Sequence, residues 1–550
     1  MTSPQLSAEI HRRAAQFLPQ RSLQVDFYRI RQRLAISLPL SGHPTNLSSV
    51  RGFPGYPYAV WVLWALEERI LSLGWEVELN GSSESRAAVE RDLMGLCHWK
   101  FLPENVPSLW SSHLVRILIA ARNWNWPDRK LREALQATLI RLVEHFAEAG
   151  TPQEPPNHIQ FANIPVIVNL GWAIGAAEVA HASTRIARDH LMAKLRVWLD
   201  QGVAGHCEGA CYDGYVADFL MDFTRQDSDA PDRKALLDHP RLRQILEEIG
   251  GLGAPGHPEN LALIGDVEPT RMLFHYSFAA KFLRSLPEPV PLVAPRRLLR
   301  IIRCDGLPHL PTNGRFSPVV RVSAAEPEDA HYALVWNLRP KRLRAKAVVA
   351  WSNSAMGHLH CDSGHLVVAA GGHWIITDPG YQQYLQTSER KFTLGTSAHN
   401  IPVINGCQAS KKPTTRATSS RGQETHFDLT ATYPIEAGVQ SVRRSLRVEG
   451  SRIMIRDQIT AETLSTLDYS WHAHPDAFLR VEDGRGVIVL GNQELVIRCK
   501  KWPLISCDIC RLRGSRGSLT FRKTLTFPVG TRAAEVEWEF MVGSEVGRKY

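Results

Sequence analysis

The chain has 550 residues, more than one ordinary domain, and its 44% hydrophobic and 22% charged residues exclude a largely disordered or fibrous protein. Sixty-four Lys and Arg against 55 Asp and Glu leave a net charge of +9, which favours anionic partners without choosing among nucleic acid, acidic glycan and membrane surface. No window offers the ~18 charge-free apolar residues of a membrane span; the closest, Ile164 to Ala180, is interrupted by Asn169 and Glu178.

The opening stretch, MTSPQLSAEIHRRAAQF, has no apolar core ahead of a small-residue cleavage site. The expected location is therefore cytoplasmic, or periplasmic or secreted if a leader precedes this sequence. Helical signals dominate up to about residue 290. Tyr58 to Leu73 is apolar with a charged flank, and Leu114 to Ala121, Leu131 to Phe146, Ile164 to Ala180 and Thr184 to Leu199 carry apolar residues at i, i+3, i+4, i+7 spacing. Asn125-Trp126-Pro127 and Thr151-Pro152 break the runs. Helices of this length on short turns predict a bundle, solenoid or toroid.

Leu286 to Pro295 holds four prolines and is the best linker. This sets two expected domains, helical over 1–290 and antiparallel β over 291–550. Beyond the linker come short β-type runs at Ala347 to Trp351, His365 to Ala370, Trp374 to Thr377, Ser441 to Val448, Arg452 to Ile459, Gly486 to Leu490, Glu494 to Cys499 and Ala534 to Phe540. The simplest architecture for them is a β-sandwich. The nine cysteines are scattered, and Cys507 and Cys510 form one CxxC with no second pair at zinc-finger spacing. They read as reduced and mostly buried.

The densest chemical signal runs from Met356 to Asn400, with His358, His360, His365, His373 and His399 beside Asp362 and Asp378. In a strand, residues i and i+2 share a face, so His358 and His360 are expected to project together. A return through the Gly371-Gly372 turn would bring Asp378 alongside, with His399 as a third ligand. Two imidazoles and a carboxylate suit zinc. The uneven spacing leaves open whether such a site is catalytic or structural.

HLHCDSGHLVVAAGGHWIITDPGYQQY followed by SAHN resembles the signature of the heparinase II/III-like polysaccharide lyases, with an HxHxDxGxF-like strand, a Gly turn, a D-x-G-Y element and a later HN. Leu366 stands where that pattern has phenylalanine. Asn405-Gly406-Cys407-Gln408 resembles the DG-x-Q that follows. In the N-terminal half, Asn157-His158 resembles the family's N-H, Glu208 to Tyr212 its EGxSY with Cys211 replacing serine, and Gly265-Asp266 its GD element, all in the family's order.

The resemblance implies an incomplete (α/α) toroid followed by an antiparallel β-sandwich, and cleavage of an acidic, uronate-containing polysaccharide by β-elimination. It implies catalytic roles for Asn157, His158, Tyr212 and His358. Asn157 would donate to the substrate carboxyl and spread the developing enolate charge, with His158 as neutraliser or base and His358 near the same C5. Tyr212 would carry the proton; a phenol near pKa ~10 needs a basic surround to act as base. Tyr215, three residues on, is the substitute if the alignment slips. The resemblance also implies a structural zinc held by His360, Asp378 and His399. Arg296, Arg297, Arg300, Arg303, Arg339, Lys341, Arg342, Arg344 and Lys346 are candidates to hold an anionic polymer, and Trp124 and Trp126 to stack on sugar rings.

Two other readings stay open: a non-catalytic acidic-glycan-binding protein of the same fold, and a toroid-type glycoside hydrolase. Hydrolysis needs two carboxylates across the scissile bond, and Glu208, Asp213 and Asp218 form no obvious pair. Nucleic acid is not an expected partner, because no helix-turn-helix, RNP or zinc-finger pattern accompanies the charge.

Overall fold

The computed structural model describes residues 3–27, 32–44, 58–150, 163–200, isolated positions between 215 and 239, 252–255, 257–265, 333–338, 344–350, 360–380, 388–410, 416–420, 424–505, 509–512 and 518–543. They fall into two compact units, one holding the residues up to 239 and the other those from 252 onward. The expected boundary at residues 290 and 291 lies outside the described residues.

The first unit is helical apart from one hairpin, β1 (Ser22–Phe27) with β2 (Gln32–Ser37). Its helices are α1 (Ser3–Phe17), α2 (Tyr58–Asn80), α3 (Ser83–Cys97), α4 (Leu109–Arg122), α5 (Arg129–Ala149), α6 (Asn163–Glu178) and α7 (Thr184–Asp200). Helix α5 shows why the spacing works: Asp128 caps it by accepting from Leu131 N at 2.8 Å, and Leu131, Leu135, Leu139, Leu142, Val143 and Phe146 form its buried stripe. Helix α6 is apolar all round because it is enclosed, and Gly171 lets it approach α4 so closely that a Cβ there would lie 2.4 Å from Ser112 Oγ. No described helix is long and apolar enough to cross a membrane.

The second unit contains two eight-stranded sheets among the described residues. One runs β10 (Arg416–Ser420), β11 (Glu424–Asp428), β12 (Val439–Glu449), β13 (Arg452–Ala461), β20 (Ala533–Gly543), β17 (Gln493–Cys499), β16 (Arg485–Leu490) and β15 (Phe478–Glu482), and the other β18 (Ile509–Leu512), β19 (Ser518–Thr526), β14 (Thr466–Ala473), β8 (His373–Ile376), β7 (Leu366–Ala370), β6 (Ala345–Ala350) and β5 (Ala333–Leu338), with β9 (Val403–Ile404) pairing β14. The elements nearest the histidine cluster are β6 (Ala345–Ala350), β7 (Leu366–Ala370), β8 (His373–Ile376) and β14 (Thr466–Ala473). In the other sheet β12 (Val439–Glu449), β13 (Arg452–Ala461) and β20 (Ala533–Gly543) pair antiparallel in sequence-long ladders. Alternation along β13 turns Ile453, Ile455 and Ile459 inward, and along β20 it turns Val536, Trp538 and Phe540 inward. These rows meet Tyr469 and Trp471 of β14, the Trp471 ring lying 4.6 Å from Phe540 and 5.3 Å from Trp538. That contact is the sandwich core.

A short hairpin, β3 (Gly253–Ala254) with β4 (His257–Leu261), belongs to this second unit, and Lys346 Nζ donates to the Gly253 carbonyl at 2.6 Å. The β7–β8 turn falls on Gly371 and Gly372, both at positive φ (57° and 86°), which L side chains rarely adopt.

Candidate functional site

The histidine cluster is assembled from three stretches of the second unit. The first is the turn 360–365 ahead of β7, where Gly364 N bonds to Ala350 O and His365 N to Asp362 O. The second is the exit of β8, where Asp378 Oδ1 accepts Gly380 N at 2.7 Å. The third follows the helix Ser388–Leu394 and the 3-10 turn Thr396–Ala398, ending at His399 and Asn400. Cys361 N bonds to Leu394 O at 3.0 Å and ties the first stretch to the third.

His360 lies outside the described strands, and the expectation that it projects together with His358 rests on a residue outside the described residues. Gly364, at φ 86°, turns the chain there, and the strand proper starts at Leu366. Asp378 and His399 do meet: His399 Nδ1 donates to Asp378 Oδ2 at 2.7 Å. The His360 ring lies 5.5 Å from that of His399. Ligand atoms of His365, Asp378 and His399 all fall within 4.8 Å of one another, and His365 Nε2 is 3.8 Å from Asp378 Oδ2. His360, Asp362, His365, Asp378 and His399 are all buried.

Burial lowers the basicity of His365, His399 and His472, and their neighbours separate them. His365 is pushed well below the usual histidine range by burial, reinforced by His399, His472, Arg444 and His360. His472 is pushed down to about 3 by burial and the His399 charge. For His399 burial works the same way but is outweighed by the charge and hydrogen bond of Asp378, by Asp362 and by the Leu394 carbonyl, so it rises.

Two imidazoles and a carboxylate in a buried pocket suit zinc, and the site has polar capacity to spare. His399 Nε2, His365 Nε2 and Asp362 Oδ2 are buried without a hydrogen-bond partner among the described residues. Among the described residues the donor atoms that could share one ion are those of His365, Asp378 and His399, and His360 lies beside them with its ring 5.5 Å from that of His399.

Asn400, the residue after His399, is a clamp that sequence reasoning gave no role. Its amide donates to Leu366 O (2.6 Å) and Thr377 O (3.0 Å), and its Oδ1 accepts His472 N (2.8 Å). Arg444 was also missed. It is fully buried, forks onto Asp457 with two 2.7 Å bonds, and donates from Nη1 to Gly364 O (2.7 Å) and Asn400 O (2.8 Å). The signal was in the sequence: Arg444 and Asp457 occupy inward positions of otherwise apolar alternating rows. Asn405 of the Asn-Gly-Cys-Gln element is another tie, its Oδ1 accepting Ser465 N (2.8 Å) and its Nδ2 donating to Thr463 O (2.8 Å).

Asn157, His158, Tyr212 and His358 lie outside the described residues, as do Cys507, Arg296, Arg297, Arg300, Arg303, Arg339, Lys341 and Arg342. Tyr215 is placed: it is 2% exposed and its hydroxyl bonds to His113, whose Nδ1 donates to Glu67 Oε2 at 2.6 Å. Trp124 is buried core, filling the space left by Gly74, where a Cβ would lie 2.0 Å from its ring. Trp126 stacks on it at 5.4 Å.

Residues 323–532 match the family model described as Heparinase II/III-like, C-terminal. No curated protein matches the chain. Among solved structures, a heparinase III, the BT4657 gene product, aligns with a TM-score of 0.58 and 11% identity over 98% of this chain and 85% of its own. A mutant of the heparan sulfate lyase HepC from Pedobacter heparinus aligns at 0.54 and 10% identity, covering 98% and 84%. The chondroitin AC lyase of Streptomyces coelicolor A3, in complex with chondroitin sulphate, aligns at 0.54 and 13% identity, covering 99% and 79%. At such identities the likeness is one of fold, a helical toroid followed by an antiparallel β-sandwich. The chain therefore has the fold of these lyase structures, and its residues 323–532 are similar to the heparinase II/III-like C-terminal domain.

Proposed function

We propose that the protein is a polysaccharide lyase that cleaves an acidic, uronate-containing polysaccharide or oligosaccharide by β-elimination. The observation that carries this reading is the buried imidazole–carboxylate cluster lying within the residues that match the heparinase II/III-like domain. The net charge of +9 suits an anionic polymer.

β-Elimination from a uronate must remove the C5 proton, which is weakly acidic because its carbanion lies beside a carboxylate. Asn157 donates hydrogen bonds to that carboxylate and spreads the enolate charge, worth several kcal/mol when preorganised. His158 assists as neutraliser or base, and His358 approaches C5. Tyr212 takes the C5 proton and returns one to the departing glycosidic oxygen. The electron pair left at C5 forms the C4=C5 double bond as the C4–O bond breaks, so the reaction is balanced without a co-reactant.

A zinc held by His360, Asp378 and His399 would act structurally, pinning the three stretches that carry them. This chain's residues prepare for it: Asp378 holds His399 by Nδ1, and Asn400 and Arg444 fix the backbone around it.

The test is a panel of uronic-acid polymers and oligomers followed by ultraviolet absorbance of the conjugated double bond. Growth of that absorbance is expected with a suitable uronan, and Tyr212→Phe is expected to suppress it with the fold intact. Binding without unsaturated product across the panel would overturn the lyase reading; full activity in Tyr212→Phe would move the proton carrier elsewhere.

A further inference from the structure

His365 stands inside the ligand cluster, and by distance alone it would be counted as a ligand of the metal. Its hydrogen bonding argues otherwise. Asn400 N donates to His365 Nδ1 at 2.8 Å. A backbone N–H can only donate, so Nδ1 must present a lone pair. That excludes the imidazolium, which carries a proton on both nitrogens, and leaves the neutral tautomer with its proton on Nε2. A metal at Nε2 would need that proton gone as well, leaving an imidazolate.

Asn400 has little freedom to relax this constraint. Its side chain spans Leu366 O, Thr377 O and His472 N, and its own carbonyl accepts from Arg444 Nη1. Each of its polar groups is committed, so the direction of its N–H is fixed by the surrounding strands. The ring that receives it has no solvent exposure.

We infer that His365 is not a metal ligand but a positioning residue, an Nε2–H donor turned toward Asp378, with its tautomer set by the backbone of Asn400. His365 Nε2 lies 3.8 Å from Asp378 Oδ2, and a shift of about 1 Å in either side chain closes the hydrogen bond. The same oxygen already accepts His399 Nδ1. Asp378 is thus held by the His399 N–H and the Gly380 amide, with the His365 N–H close enough to join them, and this orients it as a carboxylate anion beside the metal position. The inference rests on the metal reading above for its functional consequence, and on geometry alone for the tautomer.

The test uses the full chain, stripped with a chelator and reloaded with zinc, with stoichiometry from elemental analysis and affinity from competition with a chromophoric chelator. His365→Gln keeps both functions, because its amide oxygen can accept Asn400 N–H while its NH₂ donates to Asp378. It is expected to bind one zinc per chain within a few-fold of the parent affinity. His365→Leu is expected to keep the stoichiometry and lose about 10–100-fold in affinity, whereas His399→Ala loses the zinc. Loss of zinc from both His365 variants, as in His399→Ala, would make His365 a ligand and overturn the inference. A parent chain that takes no zinc would instead remove the metal reading. The tautomer is then read directly, by nitrogen-15 spectra of the histidine-labelled unloaded protein. A bare Nδ1 and protonated Nε2 at His365 sustain the inference, and a proton on Nδ1 overturns it.

Discussion

Arg444 and Asp457 face each other across β12 and β13, both without solvent exposure. An isolated charge in that position would be prohibitive, and it is tolerated because every polar atom of the two side chains is satisfied. The guanidinium forks onto the carboxylate, Tyr469 OH donates to Asp457 Oδ2 at 3.0 Å, and the remaining guanidinium nitrogen takes two carbonyls. Arg444→Met leaves Asp457 buried and uncompensated, and it is expected to cost about 3–5 kcal/mol in chemical denaturation. Replacing both partners, Arg444→Met with Asp457→Leu, should recover part of that loss but not all, because the carbonyls of Gly364 and Asn400 remain without their donor. Full recovery would show that Arg444 serves only its own ion pair and does not hold the histidine segments.

At the scale of elements, the close pair is α4 with α6. Ala in place of Gly171 would gain about 1 kcal/mol of helix propensity, but its Cβ would meet Ser112 Oγ at 2.4 Å and Ser112 Cα at 2.8 Å. Overpacking of this kind costs about 1–3 kcal/mol, so Gly171→Ala is expected to lower stability despite the better helix former. A higher melting temperature would mean that the two helices separate easily. The element map itself was largely legible, because both periods were clean. The run expected over Leu131 to Phe146 lies inside Arg129–Ala149, and that over Arg452 to Ile459 inside Arg452–Ala461. Helix α3 was missed because its apolar stripe is thin, only Ala88, Val89, Leu93 and Leu96. It is completed by a buried ion pair between Asp92 and Arg69 of α2, at 2.6 Å. The hairpin at 253–261 was missed because its strands are short and its pairing is irregular.

For the molecule as a whole, a metal at the histidine cluster would add a further tie between stretches near residues 360, 378 and 399. Binding only to the folded state, it would stabilise by about 2.7 kcal/mol at a hundred times its dissociation constant. Zinc is therefore expected to raise the melting temperature of the chelator-stripped protein, and His360→Ala is expected to abolish the rise. A parent protein whose melting is indifferent to zinc would remove the metal from the account.

The sequence by itself determined the helical and β texture, the order of the family-like motifs and the residues from which a site would be built, because periodicity and local turn chemistry are properties of neighbouring residues. Only the tertiary structure decided that Asn400 fixes the tautomer of His365, that Tyr215 is locked against His113 away from solvent, and that Arg444 reaches through the sandwich core to Gly364 and Asn400. The direction of a hydrogen bond between residues dozens of positions apart depends on how strands are stacked, and no local pattern of side chains encodes it.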